Sequence, residues 1–68
     1  MNVVLNGERH ELDEGATVRA AITASGAPSE GRGVAVALDG EVVPRARWDE
    51  VPLSDGARVE VVQAVQGG

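Results

Sequence analysis

The chain predicts an α+β domain: a mixed sheet of five short strands with one helix packed on a single face. Three observations carry that expectation. Val-rich runs are followed or preceded by Asn6-Gly7, Asp39-Gly40 and Asp55-Gly56, dipeptides that tolerate positive φ and reverse a chain tightly. A single segment, opening at Thr17, spaces its apolar residues at the helical period. One Trp and no Phe or Tyr leave the core to aliphatic side chains, and the dominance of Val favours strands.

The elements follow in order. Val3, Val4 and Leu5 form a strand that turns at Asn6-Gly7 into a weak return strand, Arg9 to Leu12, whose only apolar residue is Leu12. Asp13-Glu14-Gly15 breaks the pattern. Thr17 is a good N-cap, and Val18, Ala21, Ile22 and Ser25 share one face of a helix of about two to three turns. Gly26 suits a left-handed C-terminal cap, and Pro28 stops any continuation. Residues 27–33 read as loop. Val34, Val36 and Leu38 then alternate with Ala35 and Ala37 in a strand that turns at Asp39-Gly40. A short partner, Glu41-Val42-Val43, is ended by Pro44. Residues 45–52 read as irregular, and after Asp55-Gly56 the last strand runs from Arg58 to Val62. This ββαβββ order matches the β-grasp fold of ubiquitin-like proteins. It places a domain at residues 1–62 and a flexible tail at 63–68.

Composition narrows the function classes. With 68 residues, 43% of them hydrophobic and 25% charged, the chain is one small globular domain. Net charge is −5, and the positive residues, all Arg at 9, 19, 32, 45, 47 and 58, form no stripe, which argues against nucleic-acid binding. No Cys means no disulfide and no thiolate metal site. The longest apolar run, Val34 to Leu38, falls far short of a membrane span, and Met1 leads straight into a strand without a signal-like segment. A cytoplasmic protein that binds no cofactor or metal is expected. His10, the only histidine, stands in a short strand between Glu8 and Glu11, and a surface role suits it better than ligation. Ser25, Ser29 and Ser54 have no motif linking them to His10, and Gly31-Arg32-Gly33 lacks the spacing and Lys of a phosphate loop. No catalytic constellation emerges.

Chemistry is left to the tail. Beyond Glu60 no side chain is ionisable: Val61-Val62-Gln63-Ala64-Val65-Gln66-Gly67-Gly68. Extended, the six residues after Val62 reach roughly 20 Å. A slim uncharged segment enters a partner's channel without stripping water from ions, and terminal glycines adopt φ/ψ values closed to other residues. A carboxylate on Gly68 is a poor electrophile until coupled to AMP; a sulfur nucleophile then converts the mixed anhydride to a thiocarboxylate. The tail thus reads as a tethered acyl group, with Ala64, Val65, Gln66 and Gly67 as its stem. If Val3, Leu5, Val34, Val36, Leu38, Val59 and Val61 face the helix, then Val4, Ala35, Ala37 and Val62 face outward, and a docking patch for a partner is expected there. Arg45 is read either as steering an acidic partner surface or as solvated.

The run Val34 to Trp48, with its Val-Val-Pro-Arg-x-x-Trp motif at Val42 to Trp48, resembles the central segment of the ThiS family, the sulfur carriers of thiamin thiazole biosynthesis. So does Leu53 to Glu60 followed by Gln63 to Gly68, and the resemblance spans essentially the whole chain. Departures are mild: Asp39 stands where Asn is frequent, and Ala21 and Ser25 stand where larger apolar residues are usual. The resemblance implies that Gly68 is adenylated by a ThiF-like enzyme at the expense of ATP, becomes a thiocarboxylate, and passes its sulfur to thiazole synthase, ThiG. Trp48 is read as a packing anchor. The small subunit of molybdopterin synthase is a neighbouring alternative, against which the length and the Pro-Arg-x-x-Trp motif speak. A ubiquitin-like protein modifier is a second, and a plain binding module with an incidental Gly-Gly a third.

Overall fold

In a computed structural model, which describes residues 1–28 and 30–64, strand β1 (Asn2–Leu5) turns into β2 (Glu8–Glu11) and helix α1 (Val18–Ala24) follows. Then come β3 (Val34–Leu38), β4 (Glu41–Val42), a 3₁₀ turn at Arg45–Arg47, and β5 (Arg58–Gln63). Among the described residues the strands form one sheet in the order β2-β1-β5-β3-β4. The pairings are antiparallel except β1 with β5, which is parallel. The expected α+β, β-grasp arrangement is therefore the one observed, with β5 in the middle of the sheet.

Two of the hairpin turns do more than reverse the chain. Asn6 and Asp39, the first turn residues, take φ of 50° and 49°, which Asn and Asp tolerate better than other side chains. Both then bond to β5. Asp39 donates its N–H to the Arg58 carbonyl at 2.8 Å and accepts the Arg58 N–H on Oδ1 at 2.9 Å. An Asn at position 39 would offer the same acceptor, so the acidic residue costs this staple nothing.

The helix begins where Thr17 predicts, but the Thr17 side chain makes no capping bond. Its first N–H groups are satisfied by the chain that follows Trp48. Val18 donates to the Val51 carbonyl at 3.0 Å and Arg19 to the Trp48 carbonyl at 3.1 Å. A neighbouring segment has replaced the local cap, which leaves no orphan donor for the hydroxyl to meet. At the other end Ser25 is the C-cap rather than a member of the apolar face; its Oγ donates to the Ile22 carbonyl at 2.6 Å.

Val18, Ala21 and Ile22 of α1 are buried together with Val3, Leu5, Val36, Val43, Trp48, Leu53, Ala57 and Val59. Val34, Leu38 and Val61 pack half-buried against them, so the expected helix-facing set lines the core. Residues 45–52, expected to be irregular, instead wind through the 3₁₀ turn and insert Trp48, which is 1% exposed. Its indole N–H donates to the Val43 carbonyl at 2.9 Å, meeting the one polar demand of a buried Trp. No polar side chain is buried among the described residues.

Candidate functional site: the outer sheet face and the root of the tail

Residues paired across neighbouring strands point to the same face, so the register decides which side chains share the surface away from α1. Ala35 faces Val62, and Ala37 faces Glu60 on one side and Val42 on the other. Val42 and Val62 are 77% and 63% exposed, the large apolar side chains most open to solvent among the described residues. Val4 stands apart. Its partners are Arg9 on β2 and Arg58 on β5. The expected continuous patch of Val4, Ala35, Ala37 and Val62 is thus divided. β5 alternates Val59 and Val61 inward with Arg58 and Glu60 outward, and those two charges run between Val4 and the Ala37 side. The apolar part is Val42, Ala37, Ala35 and Val62, with Val4 lining a recess beside Asn6, Gly7, Arg58 and Glu60. Val42 was legible: Val43 turns inward, so its neighbour on a strand turns out.

Arg45, also expected at a partner surface, belongs to none of the strands that form this face. It is exposed and opens the 3₁₀ turn, with its Cδ beside Gly31. Trp48 is the core anchor the sequence suggested. Over its ring lies the Arg19 guanidinium, 5.4 Å from the centroid, held there by two 3.0 Å bonds to the Asp49 carboxylate. That hydrogen bonding lowers the pKa of Asp49 and raises that of Arg19.

The root of the tail lies deeper in the sheet than expected. β5 continues through Gln63, which pairs with Val34, and the Ala64 N–H donates to the Gly33 carbonyl at 2.6 Å. The boundary expected between 62 and 63 therefore moves two residues toward the C-terminus, because β3 is long enough to keep pairing. Ala64, expected as part of the free stem, is its anchored first residue. Val65, Gln66, Gly67 and Gly68 lie outside the described residues. Among the described residues no group of three or more His, Cys, Asp or Glu side chains could hold a metal ion. His10 sits on β2 opposite Val3, half-buried at the sheet margin. No described helix is long and apolar enough to cross a membrane.

Comparison with known proteins adds the family. The ThiS family model matches residues 3–68, nearly the full chain and both terminal glycines. The chain belongs to the ThiS family. The members of that family are small sulfur carriers of thiamine biosynthesis. Two solved structures of a Geobacter metallireducens ThiS thiamine biosynthesis protein are similar at 31% identity over all of this chain. The crystal structure is matched over its whole length with a TM-score of 0.77, and the solution structure over 88% of its length at 0.78. A thiazole synthase from Paramagnetospirillum magneticum is 35% identical over all 68 residues of this chain, which spans only 20% of that protein.

Proposed function

We propose that this chain is a cytoplasmic sulfur carrier of thiamine biosynthesis, acted on by partner enzymes rather than catalysing a reaction itself. The observation that carries the reading is the family match running unbroken from the sheet to Gly67-Gly68. A carboxylate oxygen of Gly68 attacks the α-phosphorus of ATP in a ThiF-like enzyme, forming the acyl adenylate and releasing pyrophosphate. A sulfur donor at the oxidation level of sulfide then attacks the acyl carbon. AMP leaves, a proton is released, and Gly68 carries a thiocarboxylate. No electrons change hands. The chain binds no cofactor of its own; the ATP belongs to the activating enzyme.

Thiazole synthase is the proposed recipient of the sulfur. Support comes from the Paramagnetospirillum protein, in which a sequence like this whole chain makes up a fifth of a thiazole synthase. The Val42, Ala37, Ala35 and Val62 surface is the proposed docking face, because it is apolar, open to solvent at Val42 and Val62, and crosses from β4 over β3 to β5 next to the root of the tail. Intact-mass spectrometry of the protein from its native cells is expected to show a species heavier by about 16 Da, sulfur in place of oxygen. The purified chain is expected to drive ATP–pyrophosphate exchange by a ThiF-like enzyme. Absence of both would overturn the proposal.

A further inference from the structure

β1 ends at Leu5, but β5 runs on for four more residues beyond the Val59 that pairs with it. The β1-facing edge of β5 would be bare from Val61 onward, just before the root of the tail. Asn6 covers it. Its backbone N–H donates to the Val59 carbonyl at 2.9 Å, continuing the parallel ladder. Its side-chain amide then stands in for the next peptide: Oδ1 accepts the Val61 N–H at 2.8 Å, and Nδ2 donates to the Val61 carbonyl at 3.3 Å. One residue thus satisfies both edge groups of Val61. On the opposite edge, β3 and the Gly33 carbonyl hold Val61 through Ala64.

From these contacts we infer that Asn6 is a positioning residue for the reaction at the tail, an inference that rests on the carrier reading above. Clamped on both edges, β5 leaves the sheet in one direction. A partner enzyme that binds the sheet meets the tail at that root, and displacements near an ångström are costly in a positioned reaction. Asn suits the place twice over. It accepts the φ of 50° that the hairpin imposes, and its amide has one acceptor and one donor arm, the two that a peptide edge requires.

Asn6→Gly separates the two roles, since Gly keeps the turn conformation and loses the amide. Expected is hydrogen exchange at the Val61 N–H faster by about ten-fold or more, with the α1 amides unchanged. Single-turnover adenylation should slow roughly ten-fold at saturating activating enzyme, while the half-saturating concentration stays near wild type. Asn6→Asp keeps the Oδ1 acceptor but turns a carboxylate oxygen toward the Val61 carbonyl, so it should recover only part of the Val61 protection and of the rate. Val61 exchange equal to wild type in Asn6→Gly, or adenylation at the wild-type rate, would overturn the inference. So would loss of α1 protection in Asn6→Gly, which makes Asn6 a general folding residue. If the wild-type chain is itself not adenylated, the carrier reading fails first, and Val61 exchange shows separately whether Asn6 holds the root.

Discussion

Gly31 shows how much a single position can carry in so small a core. Its φ is +82°, and a Cβ there would overlap the Trp48 ring and lie 2.7 Å from Arg45 Cδ. The glycine lets the loop after α1 lie flat on the indole, which in turn is fixed by the Val43 carbonyl. Gly31→Ala adds both a strained backbone and an overpacked contact, each destabilising. The sum expected is roughly 2–3 kcal/mol. For a domain of this size that lowers the thermal midpoint on the order of 10 °C or more. A thermal melt of the variant within about 2 °C of wild type would show that the loop adapts at little cost.

At the scale of elements, α1 is tied to the segment after β4 by backbone bonds to Trp48 and Val51 and by the Arg19–Asp49 pair. The pair is exposed, and its pH dependence follows from the direction of the shifts. Asp49 titrates below its ordinary value of 3.8, so its contribution is complete above that pH and is lost as pH falls through the lowered value. Arg19 is shifted upward, and its contribution persists until pH values far above any working range. Asp49→Asn should therefore melt below wild type at neutral pH, with the difference closing below about pH 4. A difference independent of pH across that range would assign the effect to packing instead of charge.

The outer sheet face is likewise a property of elements, since it exists only where β4, β3 and β5 lie side by side. Val62→Glu and Val42→Glu each place a carboxylate on the proposed docking surface without touching the core. Either should raise the dissociation constant of a ThiF-like enzyme by roughly ten-fold or more, with the melting temperature little changed. Unchanged affinity in both folded variants would mean that the partner binds elsewhere. Val4→Glu should cost less, since Arg58 and Glu60 stand between Val4 and the apolar part.

For the whole molecule, the proposed function has the packed domain dock on a partner and the terminal Gly68 react. Removing Gly68 shortens the reach by about 3.3 Å and leaves every described core residue in place. Stability should hold while pyrophosphate exchange falls by orders of magnitude. Adenylation of the truncated chain at the wild-type rate would rule out Gly68 as the acyl carrier.

Local chemistry was sufficient for the pieces. The turn dipeptides, the alternation of Val34 to Leu38, the helical spacing from Val18 and the stop at Gly26 all depend on neighbours within a few residues. Each can be read from the chain, and their ββαβββ order matches the β-grasp fold in which they assemble. What tertiary structure alone decided concerns residues far apart in sequence. The helix start is satisfied by Trp48 and Val51 carbonyls, Arg58 and Glu60 split Val4 from the apolar surface, and the Asn6 amide reaches Val61 across 55 positions. A period or a propensity reports which face a side chain takes within its own element. It does not report which element will lie beside it, because that is set by the combined burial of all strands against one helix.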